Sequence, residues 1–157
     1  MNKDFVSARS QNLRYIDPAT ITAGVTRGVC RWLTDLNYAV LREFKLGNGR
    51  RADVTGISRD GTIVMVEVKS TIEDFRADDK WLEYVPYCDL FSFAVADHFP
   101  KEILPKSCGI IIADRHGAAV SRPAREYRLR PGSRRALTLR FAHTAGRRLI
   151  AVNDPRI

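Results

Sequence analysis

The sequence has 157 residues, 45% of them hydrophobic, which is enough for one domain with a core of its own. No stretch approaches the roughly 18 apolar residues that a membrane-spanning helix needs, and the first residues lack the apolar run of a signal peptide, so we expect a cytoplasmic protein without membrane contact. The three cysteines are odd in number and have no C-x-x-C spacing, which argues against a disulfide framework and a zinc site.

The net charge of +8 is concentrated at the C-terminal end. Residues 1–114 carry 15 basic and 16 acidic side chains, whereas residues 115–157 carry 11 arginines, no lysine and two acids. Guanidinium groups present a planar fork of donors that suits phosphate, so this surplus predicts DNA as a partner. The alternative is a solvated basic tail, or a helix that docks on an acidic protein.

The first predicted element is a helix that follows a polar lead-in over residues 1–16. Apolar side chains recur at spacings of three and four from residue 21 to residue 36. Asp17 is in place to cap this helix, and Pro18 suits its first position.

Apolar runs bounded by turn residues then predict a sheet, with main strands at 38–46, 52–58, 62–69, 89–96 and 108–114. A short helix after Thr71 is expected to stop at Pro86, and the segments 117–124 and 126–130 are expected to form edge or hairpin strands. A helix over 133–150, capped by Ser133, precedes a tail over 151–157. The order predicts one α/β domain over 17–150, a sandwich whose mixed central sheet is flanked by helices.

The turn at residues 59–61 decides whether three charges inside apolar strands can meet. If these residues form a three-residue loop, with Gly61 in the left-handed region, Asp53 lies opposite Glu67. Because side chains alternate along a strand, Lys69 shares their face, and the other face takes Val64, Val66 and Val68. A two-residue loop would instead place Asp53 opposite Val68 and separate the charges.

The facing carboxylates of Asp53 and Glu67 predict a site for a divalent cation. Buried carboxylates are costly, and two that face one another repel, unless a cation lies between them. Carboxylate oxygens and the backbone carbonyl of Val68 are hard ligands of the kind that Mg²⁺ or Mn²⁺ takes. Lys69 could orient and help activate a water on that cation. Asp53, Glu67 and Lys69 are therefore the predicted catalytic residues for phosphodiester hydrolysis.

An acid on one strand followed by Glu67-Val68-Lys69 on the next resembles the signature of the PD-(D/E)XK nuclease superfamily. Its core, a helix, a three-stranded meander, a helix and a further strand, is similar to the order predicted over residues 18–114. The segments "EVKSTIEDFRADDKWLEYVPYCDLFSFAVADHFPKEILP" and "CGIIIADRHGAAVSR" look like the MmcB family of bacterial DNA repair proteins, which is placed in that superfamily. This resemblance covers about residues 17–150 and implies a restriction-endonuclease-like fold, a role in DNA repair and contact with other repair proteins.

Two positions depart from the superfamily pattern. Ala52 stands where the superfamily name has proline, which costs little because only the acid is a ligand. Many members carry a glutamate on the first helix, whereas this helix offers only Asp35 near its end. One cation, held by Asp53 and Glu67, is therefore expected in preference to two.

Contacts with DNA are predicted for polar and basic side chains around the hairpin and on the last helix, namely Arg50, Arg51, Ser70, Lys80, Arg134, Arg135, Arg140, Arg147 and Arg148. For Arg50 and Arg51 a solvated turn is an equal alternative. Asp74 and Asp78 are interpreted as a solvated helix start, and the histidines have no metal-ligand spacing.

The predicted function is a metal-dependent nuclease in DNA repair. The alternative is a module that kept the fold and binds DNA or recruits partners without catalysis.

Overall fold

The structure is a computed structural model of the chain and describes residues 16–156. The helices are α1, Pro18–Asp35, α2, Ile72–Ala77, and α3, Pro131–Asn153. The strands are β1, Ala39–Lys45, β2, Arg51–Ile57, β3, Ile63–Lys69, β4, Leu90–Val95, β5, Gly109–Ala113, and β6, Ala118–Arg122. Short 3-10 turns span Trp81–Glu83, Val85–Tyr87 and Lys101–Ile103.

All six strands form one mixed sheet in the order β1-β2-β3-β4-β5-β6. The strands β3, β4 and β5 run parallel to one another, and the other neighbouring pairs are antiparallel. The predicted α/β architecture with a mixed sheet between helices is confirmed. Within residues 16–156, no helix has the length and apolar character needed to cross a membrane.

The helix α1 covers one face of the sheet. It begins as predicted, because the Asp17 side chain accepts the Thr20 N–H at 3.0 Å and Pro18 occupies the first helical position. Its apolar stripe packs on strand residues that include Val64, Val66 and Val68, through Val25, Val29 and Leu33. Burying side chains of this size stabilises the fold by roughly 1.5–3 kcal/mol each.

The opposite face carries a larger, aromatic core. Phe91 and Phe93 of β4 lie at its centre and contact the Trp81 ring, and Phe44 of β1 contacts Phe141 of α3 at a ring-centroid distance of 5.6 Å. Phe141 and Leu137 are the buried residues of α3. The N-terminal half of α3 is thereby fixed against the sheet, and most of its other side chains face solvent.

The β2–β3 hairpin adopts the three-residue loop. The Ser58 N–H donates to the Thr62 carbonyl at 3.0 Å, and Gly61 has a φ of +86°. The register pairs Ile57 with Ile63 and continues to Val54 opposite Val66. The next step along this register places Asp53 opposite Glu67, so of the two turns that the sequence left open the chain adopts the three-residue one.

Other sequence-based details need correction. The last helix begins at Pro131, two residues before the predicted cap Ser133, and Arg130 is its N-cap without a side-chain hydrogen bond. Proline at the first helical position explains the earlier start. That helix also continues to Asn153, into the segment predicted as a tail.

The segment after β3 also differs from the prediction. The helix α2 ends at Ala77, and Pro86 lies inside a later 3-10 turn instead of ending the helix. Of the predicted strand over 126–130, Glu126 forms an isolated bridge with Leu90. The lead-in over residues 1–16 lies almost entirely outside the described residues.

Candidate active site

A cleft opens at the C-terminal end of β3, where the chain leaves the sheet. We call it the carboxylate cleft; its volume is about 550 Å³, and its charged lining residues are Arg51, Asp53, Glu67, Lys69, Asp74 and Asp78. The first turns of α1 border it through Pro18, Ala19 and Thr22. The structure thus brings together the three residues predicted to be catalytic.

Asp53 and Glu67 follow the last backbone-paired residues of the β2–β3 ladder, and here hydrogen bonds from backbone N–H groups to carboxylates connect the two strands. The Asp53 N–H donates to Glu67 Oε1 at 3.2 Å, and the Val68 N–H donates to Asp53 Oδ2 at 2.8 Å. Each carboxylate thereby accepts a hydrogen bond from a backbone N–H of the other strand. Among residues 16–156, Asp53 Oδ1 and Glu67 Oε2 accept no hydrogen bond, and both belong to residues that line the cleft.

The pairing of β1 with β2 is irregular beside Asp53. The register passes from Arg42–Val54 to Phe44–Ala52, and Glu43 between them has a φ of +51°, a left-handed conformation that is uncommon for a residue with a side chain. Ala52 and Val54 belong to opposite cores although they are two residues apart. The alternation of faces is therefore broken at Asp53. The sequence did not indicate this break.

Burial and mutual repulsion disfavour the ionised forms of the two carboxyl groups. Glu67 is only 4% exposed. Burial, followed by the nearby Asp53 carboxylate, raises the pKa of Glu67 to about 8. Burial also raises the pKa of Asp53. A pair of carboxyl groups that resists ionisation in the absence of a cation is the electrostatic situation that a divalent cation relieves.

Lys69 is buried, and its ammonium is paired with acids that sequence reasoning had interpreted as solvated. Its Nζ lies 3.0 Å from Asp78 Oδ2 and 3.9 Å from Asp74 Oδ1. Asp78 is the C-cap of α2, so the turn after β3 carries the chain back over the lysine. This pairing depends on the path of the chain after the strand, which no local pattern revealed.

The cleft offers one divalent cation two carboxylates, Asp53 and Glu67, and within residues 16–156 no group of three or more His, Cys, Asp or Glu side chains is placed to hold a metal. Four carboxylates and two basic side chains line it, so its formal charge is negative and by itself unsuited to phosphate. Mg²⁺ and Mn²⁺ are commonly held by one or two carboxylates, with water and substrate oxygens completing the shell. Asp53 and Glu67 would hold the cation through their available oxygens, with the Val68 carbonyl as a further candidate. Asp35 ends α1 at the far end from the cleft and is exposed.

Of the predicted DNA contacts, Arg51 and Ser70 line the carboxylate cleft. The Arg51 guanidinium pairs with Glu43 at 2.5 Å and stays largely exposed. Arg50 makes two hydrogen bonds to the Glu83 carboxylate, at 2.6 and 2.8 Å. Lys80 is exposed and lies just before the first 3-10 turn, outside the cleft lining.

Two of the predicted contacts on α3, Arg134 and Arg148, make hydrogen bonds within the protein. Arg134 binds Asp89 and the Gly61 carbonyl, at the end of the hairpin opposite to the cleft. Arg148 donates to the carbonyls of Arg42 and Glu43 on the edge strand β1. Arg148 is itself exposed, as are Arg135, Arg140 and Arg147.

The fold and the cleft define a mixed α/β protein with an acidic cleft at the end of a sheet. A model of the family described as DNA repair protein MmcB-like matches residues 14–156. The chain belongs to this MmcB-like family of DNA repair proteins.

A solved structure agrees with the fold. The SPO1766 protein of unknown function from Silicibacter pomeroyi is 39% identical, with a TM-score of 0.84, and the match covers 90% of this chain and 95% of that one. No curated protein matches the chain. The family supports a role in DNA repair and thus an interaction with DNA.

Proposed function

We propose that the protein is a metal-dependent nuclease that cleaves DNA during repair. The observation that carries this proposal is the Asp53–Glu67 pair, which faces the cleft with one available oxygen on each carboxylate and has Lys69 beside it. A bound Mg²⁺ or Mn²⁺ would supply charge neutralisation at the phosphate and acidify a water. The chain's own residues provide the position and the electrostatic surroundings.

Lys69 has the proposed task of orienting the attacking water and balancing charge on the phosphate. Its side chain is 5% exposed, and its partners Asp74 and Asp78 hold the ammonium at the cleft wall. A lysine fixed in this way has little rotational freedom to lose when substrate binds. Arg51, at the cleft rim, is the cationic side chain best placed to meet the adjoining phosphate.

The element order supports assignment to the PD-(D/E)XK superfamily. The helix α1, the meander β1–β2–β3, the helix α2 and the strand β4 follow one another as in the core of that superfamily, and β4 pairs with β3 in parallel. Asp53 on β2 and Glu67-Val68-Lys69 on β3 occupy the signature positions. This assignment is part of the proposal.

The test compares the wild type with Asp53→Asn, Glu67→Gln and Lys69→Gln. The amide replacements retain an oxygen that can accept the backbone N–H of Val68 or Asp53, so the sheet end can keep its hydrogen bonds. Titration with Mn²⁺ should show binding that Asp53→Asn and Glu67→Gln abolish. Cleavage of a labelled oligonucleotide should fall by at least about a hundredfold in all three variants.

Two exposed residues outside the cleft provide matched controls. Glu73→Gln removes an acid from α2, and Lys106→Gln removes a lysine from a surface loop. Both should retain wild-type Mn²⁺ binding and cleavage. Wild-type cleavage in Glu67→Gln would exclude this site as the catalytic centre.

The alternative is a DNA-binding module without catalysis. The ion pair between Lys69 and Asp78 favours it, because an ammonium held by two acids has less charge to offer a phosphate. This alternative predicts DNA binding that is equal with Mg²⁺, with EDTA and in Glu67→Gln, together with no cleavage by the wild type.

A further inference from the structure

A second and larger cavity lies on the α1 side of the sheet. We call it the α1–β5 cavity; it occupies about 710 Å³ between α1, the ends of β4 and β5, and the β5–β6 turn. Pockets of about 300–1,000 Å³ are typical of small-molecule sites. Among residues 16–156, none of the residues lining it belongs to the carboxylate cleft.

The two cavities open at the same edge of the sheet. The parallel strands β3, β4 and β5 all end there, and the register aligns Lys69 with Val95 and Val95 with Ile112. The first turns of α1 separate the cavities, because Ala19 and Thr22 border the cleft whereas Thr20 and Gly24 border the cavity. With strands about 4.8 Å apart, the ends of β3 and β5 are roughly 10 Å apart. This separation corresponds to about three nucleotides at the spacing of a stacked strand.

The lining combines an apolar floor with a polar rim. Ile21, Val25, Ile112 and Ala113 form the floor. The rim carries His98, Arg115 and His116, with the Arg115 Nε 3.0 Å from the His116 Nε2. Imidazole rings and guanidinium planes are surfaces on which unpaired bases stack.

The acids at the rim already have local partners. Asp114 Oδ1 accepts the backbone N–H groups of His116 and Gly117, and Asp97 pairs with Lys101. Their charge is therefore partly compensated, which leaves Arg115 and the imidazoles to contact a ligand. An apolar floor with donors at its rim matches a flat nucleobase with polar edges.

We propose that the α1–β5 cavity receives an unpaired nucleobase of the strand whose phosphate lies in the carboxylate cleft. This inference rests on the proposed nuclease function and names its substrate class, DNA with a single-stranded or locally unpaired segment. A fully paired base would have to leave its stack to enter the cavity, which costs energy that an unpaired base does not require.

Gly24 offers a way to fill the cavity without disturbing the cleft. A Cβ at this position would lie 3.7 Å from the Arg115 Cβ, an ordinary contact, so Gly24→Leu can extend into the cavity. Leucine also favours helix more than glycine does. The matched control is Ala23→Leu, at an exposed position of the same helix that lines neither cavity.

The experiment measures fluorescence anisotropy with a labelled single strand and its fully paired duplex, in Ca²⁺ to limit cleavage. Gly24→Leu should weaken single-strand binding by about tenfold or more, because stacking of one base contributes an effect of that size. Duplex binding should stay within about twofold of wild type for Gly24→Leu, and Ala23→Leu should match the wild type on both ligands. Equal single-strand affinities for Gly24→Leu and wild type would overturn the inference, as would an equal loss on both ligands.

A second variant keeps the test decisive if Gly24→Leu does not fold. Arg115→Gln should also weaken the single strand selectively, and a 2-aminopurine placed near the scissile position should lose its protein-dependent fluorescence change in that variant. An unchanged fluorescence response would contradict the inference.

Mn²⁺ titration of the same proteins tests the nuclease proposal separately. Normal Mn²⁺ binding with no strand preference rejects the base cavity alone, whereas a strand preference without Mn²⁺ binding rejects the nuclease alone.

Discussion

The Arg134 guanidinium donates two hydrogen bonds to the Asp89 carboxylate, of 2.6 and 2.8 Å. The same carboxylate accepts the backbone N–H groups of Ile63 and Leu129, and the Arg134 side chain also donates to the Gly61 carbonyl. One ion pair thus connects the starts of β3, β4 and α3 with the hairpin turn. The predicted DNA contact of Arg134 stays a prediction, and its hydrogen bonds show a structural task.

Removal of the Arg134 side chain should destabilise the protein strongly. Arg134→Ala leaves a buried Asp89 carboxylate without its guanidinium, and we expect a loss on the order of 2–4 kcal/mol in the free energy of unfolding. Urea denaturation measures the loss. The control is Arg135→Ala, at an exposed neighbour, which should cost less than about 0.5 kcal/mol. Equal unfolding midpoints for the two variants would contradict the structural role.

Glu67 should make the metal-free protein less stable as the pH rises. Its pKa is raised from 4.5 to about 8, so folding favours the protonated form. The associated stability is fully present below 4.5 and is lost as the pH increases through about 8. Urea denaturation in EDTA at about pH 5 and about pH 9 should show a loss of a few kcal/mol in the wild type. Glu67→Gln should show a smaller loss, and an identical pH dependence in the two proteins would count against the buried pair.

Gly28 and Gly24 should respond in opposite directions to alanine. A Cβ at Gly28 would lie 1.9 Å from the Asp114 carbonyl oxygen and 2.5 Å from that of Gly117, both backbone atoms. Gly28→Ala must push α1 away from the β5–β6 turn and should cost about 1–3 kcal/mol. Gly24→Ala has ordinary contacts and should stabilise the helix by up to about 1 kcal/mol. Thermal unfolding compares the two variants, and a stable Gly28→Ala would show that α1 does not pack this closely.

Gly61 should be required in the hairpin turn because of its positive φ, and not because a side chain would clash there. Its φ is +86°, and the nearest atom to an added Cβ, the Arg134 Cδ, is 3.6 Å away, which leaves space for a methyl group. Gly61→Ala should therefore cost about 1 kcal/mol through backbone strain. Gly146→Ala, in open space on α3, is the control and should not destabilise. A Gly61→Ala protein as stable as the wild type would show that the turn tolerates other conformations.

The hairpin was predictable because its determinants are local. A glycine at the third loop position and the period of two along a strand reduced the register to two alternatives, of which the observed turn selects the one that places Asp53 opposite Glu67. The break in alternation at Asp53 was not predictable, because it coincides with an interrupted register at the left-handed Glu43 of the neighbouring strand, which no local pattern marked. The Lys69–Asp78 pair depends likewise on the path of the chain after β3.

Longer-range contacts explain the other differences. Nothing near Arg134 in the sequence marks it as the partner of Asp89, so its charge suggested the surface. The α1–β5 cavity could not be predicted for the same reason, because His98 and Arg115 come from separate loops and form no recognisable sequence motif. The start of α3 was misplaced locally, because Ser133 was preferred as a cap over a proline in the first turn.

The reciprocal hydrogen bonds between the start of β2 and the end of β3 make two backbone amides direct reporters of the site. The N–H groups of Asp53 and Val68 donate to the Glu67 and Asp53 carboxylates, the same groups that would hold a cation. A cation that reorients either carboxylate changes the environment of these protons. Occupancy of the cleft can therefore be read from two amide resonances, without a substrate and without catalysis.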